Sequence, residues 1–274
     1  MEIPFSTWHD AVSKRRSIRQ YAPKPVVADQ LEAMRRVCDE FRPFQSARAV
    51  LVTDAPEEVY RGIPGGYGKV KGATTLVAFI GNMQSPDVQE AMGYTGEGVI
   101  LEATALGLAT CWVGGFFSPK RAAAIAKVAP NERVLAVTPI GYPREGSSLE
   151  ERAMSRFGRN WQRRPMSELV TGLAEKDRPA WIKTALEAAR LAPSAMNRQP
   201  WRFQVDIGSI IVSADSVVNP TMVVSKRLDC GIAMLHIEIG ALTSGVKGGW
   251  ELLKSPQVAR FKVSAEGPVG SGCA

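Results

Sequence analysis

Histidine is nearly absent from this 274-residue chain, with His9 and His236 the only two. Hydrolysis by a Ser-His-Asp or Cys-His arrangement needs a histidine base beside its nucleophile, and no G-x-S-x-G elbow occurs, so that chemistry is disfavoured. Cysteine is sparse as well. Cys38, Cys111, Cys230 and Cys273 lie far apart without a C-x-x-C, which argues against a zinc site or a disulfide framework. No apolar run approaches the roughly 20 residues that a membrane helix needs; the longest, such as 76–80, are of strand length. The opening MEIPFSTWHD has no basic-then-apolar leader, so a cytoplasmic protein without a membrane partner is expected. These absences leave chemistry borrowed from a cofactor.

What is present fits a folded enzyme-sized body. With 45% hydrophobic and 22% charged residues, 25 Gly and 18 Pro, the chain lies within the globular range and makes one large domain or two ordinary ones. Lys plus Arg total 34 against 27 Asp plus Glu, a net charge of +7, which invites an anionic partner. The basic residues gather in two places, Lys14-Arg15-Arg16-Ser17-Ile18-Arg19 and the group Arg152, Arg156, Arg159, Arg163 and Arg164. Compact clusters suit a phosphate pocket on a small-molecule site. A nucleic-acid track would interleave basic and aromatic residues over a long surface, and no such signature occurs, so no nucleic-acid partner is expected.

Periodicity predicts helices over 6–15, capped by Ser6 or Thr7, over a stretch holding Leu31, Met34, Cys38 and Phe41, and over 96–107, ending in a glycine cap. Strands are predicted over 49–53, 74–80 and 134–140. A polar, arginine-rich passage at 144–164 reads as a linker or arm. From Pro165 the order begins again, with a helix over 180–191 that takes Pro179 as its first residue, strands over 201–205 and 209–213, and an apolar helix over 231–240. Residues 98–113 align with 231–246 at a constant offset of 133, matching Gly98 with Gly231, Gly107 with Gly240 and Thr110 with Thr243. We read a diverged internal duplication of α+β halves, 1–150 and 151–274, each burying its apolar helix against the other.

Two segments stand out as binding material. In an extended Arg15-Arg16-Ser17-Ile18-Arg19, side chains alternate, so Arg15, Ser17 and Arg19 share a face suited to a terminal phosphate; a solvated basic helix end is the plainer alternative. The run Ala192-Pro193-Ser194-Ala195-Met196-Asn197-Arg198-Gln199-Pro200-Trp201 holds constrained polar groups between prolines, as a binding loop or a structural one would. Gly65-Gly66-Tyr67-Gly68-Lys69 is no phosphate-binding P-loop, because Val70 stands where Ser or Thr is required. Residues 93–98, G-Y-T-G-E-G, miss the dinucleotide-binding spacing. His236, inside an apolar helix, is expected to be a hydrogen-bonded structural histidine.

The Arg-Arg-Ser-Ile-Arg run, the Pro-Ser-x-x-Asn-x-Gln-Pro-Trp loop and Gly107-Leu108-Ala109-Thr110-Cys111-Trp112-Val113-Gly114-Gly115-Phe116 together resemble the signature segments of the FMN-dependent nitroreductase family. That resemblance implies a nitroreductase-like α+β fold and FMN as cofactor. It implies NAD(P)H as reductant, hydride transfer through flavin N5, and a nitroaromatic or quinone-like acceptor in ping-pong turnover; an FMN-binding storage or sensor protein with little turnover is the alternative. Carried across residue by residue, Arg15, Arg16, Ser17 and Arg19 would bind the phosphate, helped by Arg163 and Arg164. Pro193, Ser194, Ala195, Met196, Asn197 and Gln199 would line the ring and ribityl chain, Val113, Gly114 and Gly115 would approach N5, and Lys69, or else Lys71, would face N1 and O2. No side-chain acid or base is required.

The order of the motifs departs from the family's. In ordinary members the Pro-Ser-Asn loop follows the arginine motif within a few dozen residues, whereas here that slot reads Cys38-Asp39-Glu40-Phe41-Arg42-Pro43-Phe44-Gln45 and the loop lies in the second half. The pattern is similar to a branch of the family in which one chain mimics the homodimer, and it implies a monomer with one complete site.

Overall fold

The computed structural model describes residues 1–60, 70–144, 162–216 and 224–264. Helix α1 (Phe5–Lys14) opens the chain, followed by α2 (Ala28–Glu40), strands β1 (Ala47–Val52) and β2 (Thr75–Asn82), helices α3 (Val88–Ala105) and α4 (Pro119–Ala126), and strand β3 (Glu132–Ile140). A single helical turn, α5 (Met166–Leu169), runs into β4 (Val170–Gly172). Then come α6 (Ala180–Arg190), β5 (Trp201–Asp206), β6 (Ser209–Ala214), α7 (Lys226–Thr243), β7 (Gly248–Leu252) and β8 (Gln257–Val263). Pro4 precedes α1 and neither Ser6 nor Thr7 caps it, and Pro179 sits at the cap of α6 rather than inside it.

The strands form two sheets. One has the order β1-β2-β3, all antiparallel, and the other β4-β5-β6-β8-β7, antiparallel except that β4 runs parallel to β5. Alternation along β2 explains its apolar composition. Val77 and Phe79 face the central helices, while Leu76, Ala78 and Ile80 face a second cluster with Val59, Tyr60 and Cys111, so both faces are buried. Helix α3 packs on α7, α7 on α6, and α1 across both central helices. One contiguous core, from Trp8 and Phe41 through Ile100 and Met234 to Trp201 and Phe261, therefore spans both sheets.

Both central helices are 18 residues long, and α7 begins and ends 138 positions after α3. Their C-terminal turns repeat at the same interval. Gly107 and Gly245 have φ of 77° and 73°, and Leu108 N–H bonds Ala103 O as Val246 N–H bonds Ala241 O, at 2.8 and 2.9 Å. Contacts are reciprocal too. A Cβ on Gly93 would lie 2.0 Å from the Leu228 carbonyl oxygen, and one on Gly231 would lie 2.0 Å from that of Glu90. The spatial correspondence is thus 138, not the 133 expected from the sequence. The expected match paired Gly107 with Gly240, but Gly240 lies within α7, where it admits α6 at Ala185, and Gly245 is the residue that ends the helix. Helix α3 also starts eight residues before the expected position 96, because its glycines serve close packing against Leu228, Trp112 and Phe41.

Candidate functional site

Arg15 caps the C-terminal end of α1, where the chain turns extended at φ −54° and ψ 129°. Ser17 then pairs parallel with Thr110 and Gln20 with Lys71, so the expected extended segment forms. The Arg15 guanidinium reaches Ser17 Oγ at 3.4 Å, and its Nε is buried without a partner among the described residues. Arg163 lies alongside, donating to Leu191 O at 2.8 Å, Ala192 O at 2.9 Å and Asn197 Oδ1 at 3.0 Å. Burial lowers the pKa of both arginines. That of Arg163 falls to about 10, pushed further by Arg15, Arg190 and Arg16, while Glu97 opposes the shift in both. Arg15, Arg163 and Arg190 thus bring more positive charge together than buried Glu97 offsets, an excess that an anion such as phosphate would neutralise.

The loop at 194–199 holds Met196, Asn197 and Gln199 at φ of 52°, 53° and 47°. Three residues with side chains in the left-handed region need external support. Gln199 supplies part of it from a buried position, its N–H donating to Ser194 Oγ at 2.9 Å, its amide nitrogen to Gln162 O at 3.0 Å, and its carbonyl accepting the Arg164 N–H at 2.9 Å. Asp229, one turn into α7 and buried, supplies the rest. One carboxylate oxygen accepts the Ala195 N–H at 3.1 Å and the other the Arg198 Nε–H at 2.6 Å. Burial pushes the Asp229 carboxyl up to about 6, against the pull of Arg198. Arg198 also donates to Val224 O at 2.9 Å, and Val224 lies where a Cβ on Gly114 would fall, 2.7 Å away. The Gly-Gly turn of the first half therefore meets the Pro-Ser-Asn loop of the second through Arg198 and Val224.

Behind these groups, buried Glu97 accepts the Trp112 indole N–H at 2.7 Å and lies 2.9 Å from His236 Nε2, whose Nδ1 faces Ala188 O at 2.9 Å. The Nδ1 donates to that carbonyl, which can only accept. His236 is structural, as the sequence suggests. At the position 138 residues after Trp112, Trp250 donates to Glu238 at 2.7 Å, which also accepts from Tyr94 at 2.6 Å.

Not every expected residue turns into the cleft. Arg16, on the other side of the extended chain, donates to Ser13 O and Arg15 O at 2.7 and 2.8 Å. The Arg164 side chain is directed to Glu168 at 3.4 Å, and only its backbone joins the loop. Met196 is 72% exposed and packs as neither core nor wall. Pro193 is buried, Gly114 half-buried and Gly115 exposed beyond Val113, while Arg19 accepts the Lys71 N–H with its carbonyl at 2.9 Å. Lys69 lies outside the described residues. Arg190, Arg198 and Asp229 escaped the sequence reading. Their only signal was an acid at the start of an apolar helix and an unassigned arginine among the loop's polar residues.

The described residues thus make an α+β body whose packed central helices carry an arginine cluster beside a strained polar loop. The chain belongs to the family described as "Putative TM nitroreductase", whose sequence profile matches residues 8–241. A crystal structure of a nitroreductase-family protein from Thermotoga maritima shares the fold, with a TM-score of 0.58 and 19% identity over 93% of each chain. A nitroreductase with bound FMN from Bacteroides fragilis has a TM-score of 0.41 and 23% identity, covering 52% of this chain and 91% of its own. An FMN-dependent nitroreductase from Clostridium difficile has 0.42 and 23%, covering 50% and 88%. No curated protein matches.

Proposed function

We propose that the chain is an FMN-dependent NAD(P)H oxidoreductase acting as a fused pseudo-dimer of halves 1–150 and 151–274, with one flavin site per chain. The observation that carries the reading is the buried Arg15 Nε, without a partner among the described residues and set beside Arg163 in a cluster of guanidinium groups. A desolvated cation is costly unless it meets an anion, and a terminal phosphate supplies charge and acceptors together. FMN, when bound, would supply hydride transfer between NAD(P)H and a nitroaromatic or quinone-like acceptor.

The chain's own residues bind, orient and shield. Arg15, Ser17 and Arg163 hold the phosphate, with Arg19 on the same extended segment. Ser194, Asn197 and Gln199 fix the loop that lines the ring, and Gly114 and Gly115 let the backbone approach closely. One site follows from unequal halves. Ser17 pairs with Thr110, whereas at the corresponding Gly248 the outer edge of β7 carries no strand among the described residues. A soluble monomer in the cytoplasm is the setting that we expect. Anaerobic mixing of flavin-loaded protein with NADH and NADPH tests the activity, followed by a panel of nitroaromatic and quinone acceptors. Bleaching of the flavin band and its return on addition of acceptor is the expected result; a bound flavin that neither nucleotide bleaches overturns the assignment.

A further inference from the structure

The 194–199 loop and the Gly-Gly turn come from different halves, and one buried ion pair of the second half reaches the first through Val224. We propose that Asp229 and Arg198 are positioning residues for the flavin site: Asp229 holds the 194–199 loop in its left-handed turn, and Arg198 ties that loop to Val224 against Gly114. The inference rests on the flavin reading of the cleft, but its geometry stands apart from it.

Each oxygen of Asp229 has a different task. The Ala195 N–H fixes the start of the turn at 3.1 Å, and the Arg198 Nε–H fixes its end at 2.6 Å. Between them lie Met196 and Asn197 at positive φ, a conformation that exposed side-chain-bearing residues leave unless held. Asn197 is the side chain that accepts from Arg163, so the turn helps set where the Arg163 guanidinium sits beside Arg15. Arg198 is 12% exposed and Asp229 2%, so the bond is little screened by water. Removing the Asp229 charge would leave the Arg198 guanidinium with the Val224 carbonyl and the turn without its central acceptor.

Among the described residues, the charged groups around this stretch of α7 are few. Arg198 approaches from the loop, Arg227 lies on α7 itself and Glu90 comes from α3, and Arg227 and Glu90 are paired with each other. Cys230, next in sequence, has its thiol pKa raised by burial and by Asp229. Arg198 is thus the partner that keeps Asp229 ionised against burial. Below about pH 6, where the Asp229 carboxyl gains its proton, the loop loses its charged clamp while the fold is not weakened on that group's account. The sign is distinctive. A folded-state pKa raised above the unfolded value makes this group's contribution to stability greater on acidification, yet cofactor retention should fall.

The test uses the whole chain. FMN titration monitored by flavin fluorescence compares wild type, Asp229→Asn, Arg198→Gln and the double variant at pH 5 and pH 7.5, and hydrogen exchange in the flavin-free protein follows the amides of residues 195–199. Asp229→Asn should raise the FMN dissociation constant about tenfold at the higher pH, as for a lost charge-assisted bond. It should also speed exchange at Ala195, flatten the pH dependence seen in wild type, and lose less than the sum of the single losses when Arg198→Gln is added. Equal affinity and exchange in wild type and Asp229→Asn, or independent additive losses, overturns the positioning role. If wild type binds no FMN, the flavin reading fails, and the exchange rates of the flavin-free variants still decide whether the pair holds the turn.

Discussion

Replacing Gly93 or Gly231 with alanine probes the helix pair on which the cleft is built. A Cβ on Gly93 would stand 2.0 Å from the Leu228 carbonyl oxygen and 3.0 Å from the Ile232 nitrogen. These are backbone atoms of a buried helix, so no side chain can swing aside and the helices must separate by about 1 Å or more. Overpacking of this kind costs about 3 kcal/mol. Alanine's better helix propensity offsets about 1 kcal/mol, leaving a net loss near 2 kcal/mol. For a chain of this size that corresponds to a fall of about 4–8 °C in Tm. Gly231→Ala meets the Glu90 carbonyl at the same 2.0 Å and should behave alike, while Gly249→Ala, with nothing within 4 Å, should stay within about 0.5 kcal/mol of wild type. Calorimetry with parallel urea titrations reads all three. A Gly93→Ala variant as stable as wild type would refute the close parallel packing of α3 on α7.

Arg15→Met should lower FMN affinity by about ten- to a hundredfold, as expected for a charge-assisted phosphate contact, while leaving the flavin-free protein as stable or about 1 kcal/mol more stable, because the buried cation is removed. Flavin titration and urea melts check both halves of that statement, and an equal affinity loss in Arg16→Met would contradict the division between the two sides of the extended segment. Burial raises the pKa of Glu238, so its contribution to stability is complete below the unfolded carboxylate value and is lost as pH rises through the folded one. Glu238→Gln keeps an acceptor for Tyr94 and Trp250, and its stability relative to wild type should therefore improve as pH rises above the ordinary carboxylate range in urea titrations.

The elements most legible in the sequence were those whose periodicity nothing interrupts. Strands β1, β2, β3, β5 and β6 lie within two residues of expectation because their apolar runs are bounded by turn residues. Helix α3 was read only in its second half, because Gly93, Gly96 and Gly98 look like a loop locally and reveal their purpose only against Leu228, Trp112 and Phe41. Strands β7 and β8 were not read at all. The first opens with Gly248-Gly249 and the second follows Pro256, so neither carries a clean strand signal. At the site, Arg15, Ser17, Asn197 and Gln199 were legible as motif residues. Arg16 and Arg164 belong to the same motifs, but their side chains bond Ser13 O, Arg15 O and Glu168, directions that composition cannot give. Asp229 and Arg198, 31 positions apart, become partners only when α7 packs beneath the loop.

Flavin stoichiometry tests the central claim most directly. Protein saturated with FMN, freed of excess and analysed by absorbance against amino-acid content, with its mass in solution measured by light scattering, should contain one FMN per chain on a monomer. No FMN on saturation, two per chain, or a flavin bound only when two chains associate would contradict the single composite site built from Arg15, Arg163 and Asn197.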